Sequence, residues 1–311
     1  MFRSLPASLP IGTRGSPLAL WQAEHVRDRL AAHHGLELGA ASLSVITTSG
    51  DRIQDKPLAD FGGKGLFTKE IDEALLRGDI ALAVHSMKDL PTQLPEGLCL
   101  AAVLPRARAR RFLSPSADSL AALPAGAVVG TSSLRRGAQV KRARPDVRVV
   151  DFRGNVQTRL RKLAEGVADA TLLAKAGLDR LGLTDAATSV LSVGDMLPAV
   201  AQGAIGVVAR CDDAERARLL QPLNDAATQT AVTCERAFLA ELDGSCRTPI
   251  AGLAVVEGDT IRFRGLILSP DGAEWHEVET TGPGAEAEAI GRQAGEDLRG
   301  RAGSAFLDKL T

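Results

Sequence analysis

The chain has 311 residues, of which 45% are hydrophobic and 24% charged, and its net charge is −1. These proportions describe a globular protein of two or three domains, and the near-zero charge excludes a global field that would draw it to nucleic acid or an anionic membrane. No apolar run approaches the ~20 residues of a membrane span. The opening MFRSLPASLPIG has no apolar core of the secretory kind. The four cysteines, at 99, 211, 234 and 246, show neither CxxC spacing nor a disulfide framework. A reduced, cytoplasmic setting is the expectation.

Ile11–Thr13 reads as a short strand, Arg14-Gly15 as a turn, and Ser16-Pro17 as the cap and first position of a helix carrying Leu18, Trp21, Val26 and Leu30. Such a start presents free N–H groups to an anion, with Arg14 at its mouth. Leu43–Thr47 is a second strand, and Thr48–Asp60 is polar and loop-like. Three glycines surround Lys64 in Gly62-Gly63-Lys64-Gly65, expected as a mobile loop open to close backbone approach. A helix over Thr68–Arg77 stops at Gly78. The strand Ile80–Val84 then ends abruptly in His85, Ser86, Lys88 and Asp89, the pattern of a buried strand opening its carboxyl end to a ligand.

Leu100–Pro105 is read as a crossing into a second domain, Arg106–Arg111 as solvated, and Leu120–Pro124 as a short helix. Val128–Thr131 is a strand, followed by a serine-capped helix opening with Arg135 and Arg136. IGTRGSPLA at 11–19 and VGTSSLRRG at 129–137 share one plan. So do EALLRGDIALAVHS at 73–86 and RKLAEGVADATLLAKAG at 161–177. Two similar α/β units are inferred, with a central cleft. Asp151–Val156 turns from a strand end into a helix, Arg180 follows the strand Ala170–Lys175, and the apolar run in Leu197–Val208 returns the chain to the first unit. Thr228–Leu242 is a long helix. Ala251–Val256, Thr260–Leu268 and Glu274–Thr280 alternate as antiparallel strands, and Ala285–Arg299 closes the chain as a helix. The expected domains are 1–103 with 204–222, then 104–203, then 223–311.

Basic residues at turn and cap positions (Arg14, Lys64, Lys88, Arg135, Arg136, Arg153, Arg159, Arg180) point to a ligand with several negative charges. Nucleic acid fits poorly, because aromatic residues are 3% of the chain and tyrosine is absent. Asp89 is read as the one acid within these loops, suited to a proton, an ammonium group or a developing cation. Cys246 follows Gly244-Ser245 in an open loop, whereas Cys99, Cys211 and Cys234 lie in apolar or helical settings.

The segments TRGSPLALWQA, GGKGLF, VHSMKDLP, GTSSLRR, RGNVQTRL, AGLDRLGL, PAVAQGA and ERAFLAELDGSCRTPIAG, in this order over nearly the whole chain, resemble the porphobilinogen deaminase (hydroxymethylbilane synthase) family. Two positions depart from its usual pattern: Asp60 stands where a lysine is common, and Ser245 where a second glycine is common. The resemblance implies two periplasmic-binding-protein-like α/β domains and a small C-terminal α+β domain with a three-stranded antiparallel sheet. It implies a monomeric transferase of tetrapyrrole biosynthesis that joins four porphobilinogen molecules head to tail, losing ammonia each time, without nucleic-acid or membrane partner.

It implies one dipyrromethane cofactor per chain, held by a thioether to Cys246. Lys64, Ser86, Lys88, Asp89, Thr131, Ser132, Ser133, Arg135, Arg136, Arg153, Gly154 and Asn155 would contact that cofactor. Arg14, Ser16, Phe67, Arg153, Arg159, Arg180 and Gln202 would contact substrate. Asp89 and Lys88 would be catalytic, and no metal is implied. A hinged anion-binding protein without catalysis is the alternative; it gives Cys246 no role.

Overall fold

The computed structural model describes residues 9–35, 39, 41–52, 65–107, 110–114, 117–186, 188–242 and 248–308. Lys64 with most of its glycine loop, Asp60, and the Gly244-Ser245-Cys246 loop lie outside the described residues. By its internal contacts the chain divides into two compact units, 1–106 with 204–229, and 107–203 with 230–311.

In the first unit the order is β1 (Ile11–Thr13), α1 (Pro17–His34), β2 (Leu43–Val45), α2 (Ser49–Arg52), α3 (Lys69–Arg77), β3 (Leu82–Ser86) and β4 (Leu98–Val103). The second unit begins with β5 (Arg110–Leu113), β6 (Val128–Gly130), α4 (Leu134–Ala143), β7 (Arg148–Val150), α5 (Val156–Ala164), β8 (Ala170–Ala174), α6 (Lys175–Arg180) and β9 (Ser189–Leu191). The chain then returns to the first unit as β10 (Ile205–Arg210) and α7 (Ala214–Leu220). It ends with α8 (Ala226–Glu241), β11 (Ile250–Glu257), β12 (Thr260–Leu268), β13 (Trp275–Pro283) and α9 (Ala287–Leu307).

The sheet of the first unit runs β2-β1-β3-β10-β4 and that of the second β7-β6-β8-β5-β9. In each, the first three strands are parallel and the fourth is antiparallel to both neighbours. The two plans superpose strand for strand, so the duplication inferred from the paired motifs is borne out. The fourth strand is in both cases the one laid down just after the chain changes unit.

The core of the first unit packs α1, through Val26 and Leu30, on Ile11, Leu82, Val84 and Val207. The sheet of the second unit is covered on both faces. Val129, Val140, Ala170 and Leu172 form one cluster, and Phe152, Leu163, Leu173 and Leu178 the other. The three-stranded antiparallel sheet β11-β12-β13 joins that unit through Ala138, Leu197, Ala251, Leu266 and Leu268. Burial of such clusters is the dominant stabilising term in all three sheets.

Four expectations are corrected. Leu120–Pro124 is not a helix but a series of turns, because Arg144 Nη1 donates to the carbonyls of Leu120, Ala121 and Leu123 at 2.9–3.0 Å. Arg110 and Arg111, at the end of the stretch Arg106–Arg111, belong to β5, a strand the sequence reading did not include, with a neighbour on each side. The strand expected over Ile80–Val84 starts two residues later and runs through His85 and Ser86. Finally, Cys99 and Cys211 form a disulfide. The antiparallel pairing of Cys99 with Ala209, at the end of β10, brings the two together.

Candidate active site

In the first unit the site is built on the end of β3. Met87–Asp89 form one turn of 3₁₀ helix. Met87 and Leu90 are buried and flank the exposed Lys88 and the half-buried Asp89. Met87 N–H donates to the Ala204 carbonyl at 3.1 Å, which ties the turn to the start of β10. Gly206 makes room for it: a Cβ there would lie 2.2 Å from the Met87 sulfur. Two buried anchors thus present Lys Nζ and the Asp carboxylate 3.8 Å apart. Ser86 exchanges hydrogen bonds with Gln22 of α1, whose Nε2 donates to Ser86 Oγ at 2.9 Å. Gln22 is buried and was not singled out from the sequence.

His85 does not join that polar exit. It points into the protein, 5% exposed, and its Nε2 has no partner among the described residues. Burial, aided by the Arg14 charge and opposed by Asp89, pushes its pKa down to about 4, so the imidazole is neutral.

Ser16 caps α1 by accepting from Ala19 N–H at 3.3 Å. Beside it Arg14 pairs with Asp51 of α2, and its guanidinium carbon lies 4.2 Å from the centre of the Phe67 ring. Asp51 is therefore a second acid among these loops, contrary to the reading of Asp89 as the only one. Burial would raise the Asp51 carboxyl, but hydrogen bonds from Arg14 and Thr48 and the Arg14 charge outweigh it and hold it below the usual carboxylate range.

In the second unit the strand ends of β6 and β7 and the starts of α4 and α5 come together. The hydroxyls there shape the loops. Thr131 Oγ1 accepts from Ser133 N–H at 3.2 Å, Ser132 Oγ from Phe152 N–H at 2.9 Å, and Ser133 caps α4 by accepting from Arg136 N–H at 3.4 Å. Gly154 has φ 123°, a conformation open to glycine, which lets Asn155 cap α5 through Thr158 N–H at 2.9 Å.

The first turn of α4 holds no acid and two buried cations, Arg135 and Arg136, at 8% and 6% exposure. Cations at a helix N-terminus work against its dipole, so the arrangement costs stability unless an anion is bound. Arg136 Nη1 donates to the Leu172 carbonyl at 2.7 Å, while its buried Nε has no partner among the described residues. Burial, with Arg135 and Arg159 adding repulsion, pushes Arg136 down to about 9. Arg159 Nε donates to the Gly154 carbonyl at 2.9 Å and is likewise lowered by burial. Among the described residues no carboxylate lies within ion-pair distance of Arg136 or Arg159. Arg180, pushed down by burial to about 10 against the pull of Asp179, donates to the Gly203 carbonyl at 2.9 Å, next to Gln202. Asp151 opposes that lowering of Arg159, and the charge of the neighbouring Arg153 adds to it.

A buried arginine with an open Nε, at a helix start lined by polar groups, is a donor suited to a carboxylate on a bound molecule.

The family model "Porphobilinogen deaminase, dipyromethane cofactor binding domain" matches residues 9–218, and "Porphobilinogen deaminase, C-terminal domain" matches 229–300. The porphobilinogen deaminase of Paracoccus denitrificans is 56% identical over 299 residues, 96% of each chain. That of Nitrobacter winogradskyi is 57% identical, covering 96% of this chain and 94% of its own. The chloroplastic porphobilinogen deaminase of Pisum sativum is 57% identical over 309 residues, covering 97% of this chain and 84% of its own. On the family match, the identity and the site, the chain belongs to the porphobilinogen deaminase family.

Proposed function

We propose that the two groups of side chains divide the work of a polymerisation between binding and charge stabilisation. The enzyme joins four porphobilinogen molecules head to tail, with loss of ammonia at each addition, to give hydroxymethylbilane. The dipyrromethane cofactor, when bound, supplies the primer from which the chain of pyrroles grows. Each pyrrole carries an acetate and a propionate, so cofactor and substrate present carboxylates that the open Nε of Arg136 can meet. The observation that carries this reading is Arg136, whose buried charge and open Nε are otherwise a cost without a return.

In this reading Arg135, Arg136 and Arg153 hold the cofactor carboxylates, together with Lys64 and Lys88. Ser86, Thr131, Ser132, Ser133, Gly154 and Asn155 shape that seat. Arg14, Ser16, Phe67, Arg153, Arg159, Arg180 and Gln202 receive the incoming substrate. Asp89 stabilises the cation left on the substrate as ammonia departs, with Lys88 beside it to orient the carboxylate.

Cys246 is the attachment residue. In support, the other three cysteines are poor candidates: Cys99 and Cys211 are bonded to each other, and burial with the Glu235 charge pushes Cys234 up to about 12. We place the cofactor cysteine in a third domain, 223–311, and the two α/β domains at 1–103 with 204–222 and at 104–203. The enzyme is proposed as a monomer working in the cytoplasm on a small molecule; the near-neutral charge supports only the part that excludes a nucleic-acid or membrane partner.

Intact mass and peptide mapping test the assignment. The purified protein should carry the dipyrromethane mass on the Cys246 peptide alone, and Cys246→Ser should carry none. Adduct on Cys99, Cys211 or Cys234 would overturn it.

A further inference from the structure

Glu235 lies on α8 and is fully buried, at 0% exposure. Its two carboxylate oxygens are used separately. Oε2 accepts from Ala201 N–H at 2.5 Å, and Oε1 accepts from Ala254 N–H, on β11, at 2.7 Å. Ala201 has φ 58° and is alone among the described non-glycine residues in having a positive φ. For an alanine that conformation is strained, and it persists only where the surroundings impose it. The surroundings here are clear. Gly252 N–H of β11 donates to the Pro198 carbonyl at 3.0 Å, and Gln202 N–H closes a turn onto the Ala199 carbonyl at 3.1 Å. The segment is thus laid along β11, and Glu235 bridges the strand to the strained residue. The next residue is Gln202, and the carbonyl after it, on Gly203, receives Arg180.

We propose that Glu235 is a positioning residue for substrate binding: it clamps Ala201 in the left-handed conformation and so sets Gln202 and, through the Gly203 carbonyl, Arg180. This rests on the substrate roles assigned above to Gln202 and Arg180. The clamp needs a carboxylate, because both oxygens must accept. Glutamine has the same shape but turns an N–H₂ toward one of the two backbone N–H groups. A glycine at 201 adopts the left-handed conformation without help.

The test is steady-state kinetics on holoenzyme, with porphobilinogen varied. Glu235→Gln should raise KM at least tenfold while changing kcat less than threefold, because binding geometry is lost and the charge on Asp89 is not. Adding Ala201→Gly to Glu235→Gln should restore most of the lost affinity. A folded Glu235→Gln with wild-type KM, or a double variant with no recovery, would overturn the proposal. So would a double variant that still fails to fold, since the clamp would then serve folding alone. Gln202→Ala and Arg180→Lys are measured alongside. If both leave KM unchanged, the substrate roles fall. If they raise KM and Glu235→Gln does not, the positioning role alone falls.

Discussion

Arg14 grips Asp51 through both its Nε and Nη2, with Nε 3.2 Å from each carboxylate oxygen, while the guanidinium rests on Phe67. This pairing fixes, just before α1, a cation that would otherwise sweep through solvent, so the arginine proposed to receive a substrate carboxylate is held in one orientation.

Asp51→Asn should test that role. The folded-state pKa of Asp51 lies below its unfolded value of 3.8. Its contribution is therefore complete above that value and is lost as pH falls through the lower, folded value. The variant should be less stable than wild type by about 1–2 kcal/mol at pH 7, and the gap should close in strong acid. Thermal melts from pH 7 to pH 2 measure it. A gap independent of pH would show that the charge is not what matters.

Asp72, on the buried face of α3, behaves in the opposite sense. Burial pushes its carboxyl up to about 6, with Glu73 adding to it and the Thr68 hydroxyl only partly offsetting it. Between 3.8 and about 6 the unfolded chain loses this proton while the folded chain keeps it. Stability is accordingly lost as pH rises through that window, and the loss persists above it. Asp72→Asn removes the charge and should stabilise the protein at pH 8 by about 1–3 kcal/mol, with little effect at pH 4. Denaturant titrations at the two pH values decide it. Destabilisation at pH 8 would mean that the carboxylate has a partner worth more than its burial costs.

Arg136→Leu separates stability from function. It removes a buried charge that faces two other arginines. The cofactor-free variant should therefore be at least as stable as cofactor-free wild type, despite the lost bond to the Leu172 carbonyl. Cofactor assembly should fall at least ~tenfold, because charge-assisted hydrogen bonds of ~1.5–3 kcal/mol disappear. Thermal melts and intact mass give the two readouts. A fully loaded, fully active variant would remove Arg136 from the site.

Much of this architecture was legible in the chain. Capped helices at Ser16 and Ser133, the glycine stop at Gly78, the turn into a helix at Val156, and the repeated plan in the two halves are local signals, and each appears where its residues place it. What local signals hide is decided by neighbours. Arg110–Leu113 follows an arginine-rich stretch with no strand signal of its own, yet it becomes a strand because β8 and β9 offer hydrogen bonds on both sides. Leu120–Pro124 has helical composition, but Arg144, some twenty residues on, takes its carbonyls. Cys99 and Cys211 are 112 residues apart and meet only through strand register. In the candidate site, Arg14, Arg135, Arg136 and Arg153 were singled out by their position at or just before helix starts. Gln22, Asp51 and Glu235 were not, because each acts through a partner distant in sequence.

The central claim concerns Asp89, presented by the turn that Met87 and Leu90 anchor. Its carboxylate is assigned to the positive charge that forms as ammonia leaves, an electrostatic contribution typically worth ~3–4 kcal/mol, or 10²–10³ in rate. Asp89→Asn keeps the size and loses the charge, and Asp89→Glu keeps the charge and displaces it by one methylene. Both should fold, because the side chain is half-exposed and its neighbours carry the packing. The most direct measurement is single-turnover formation of the successive enzyme–substrate adducts of each variant, followed by mass. The account predicts that Asp89→Asn, with cofactor attached, is slowed at least a hundredfold at the first addition, and that Asp89→Glu elongates slowly but measurably. Passage of Asp89→Asn through every addition at the wild-type rate would contradict it.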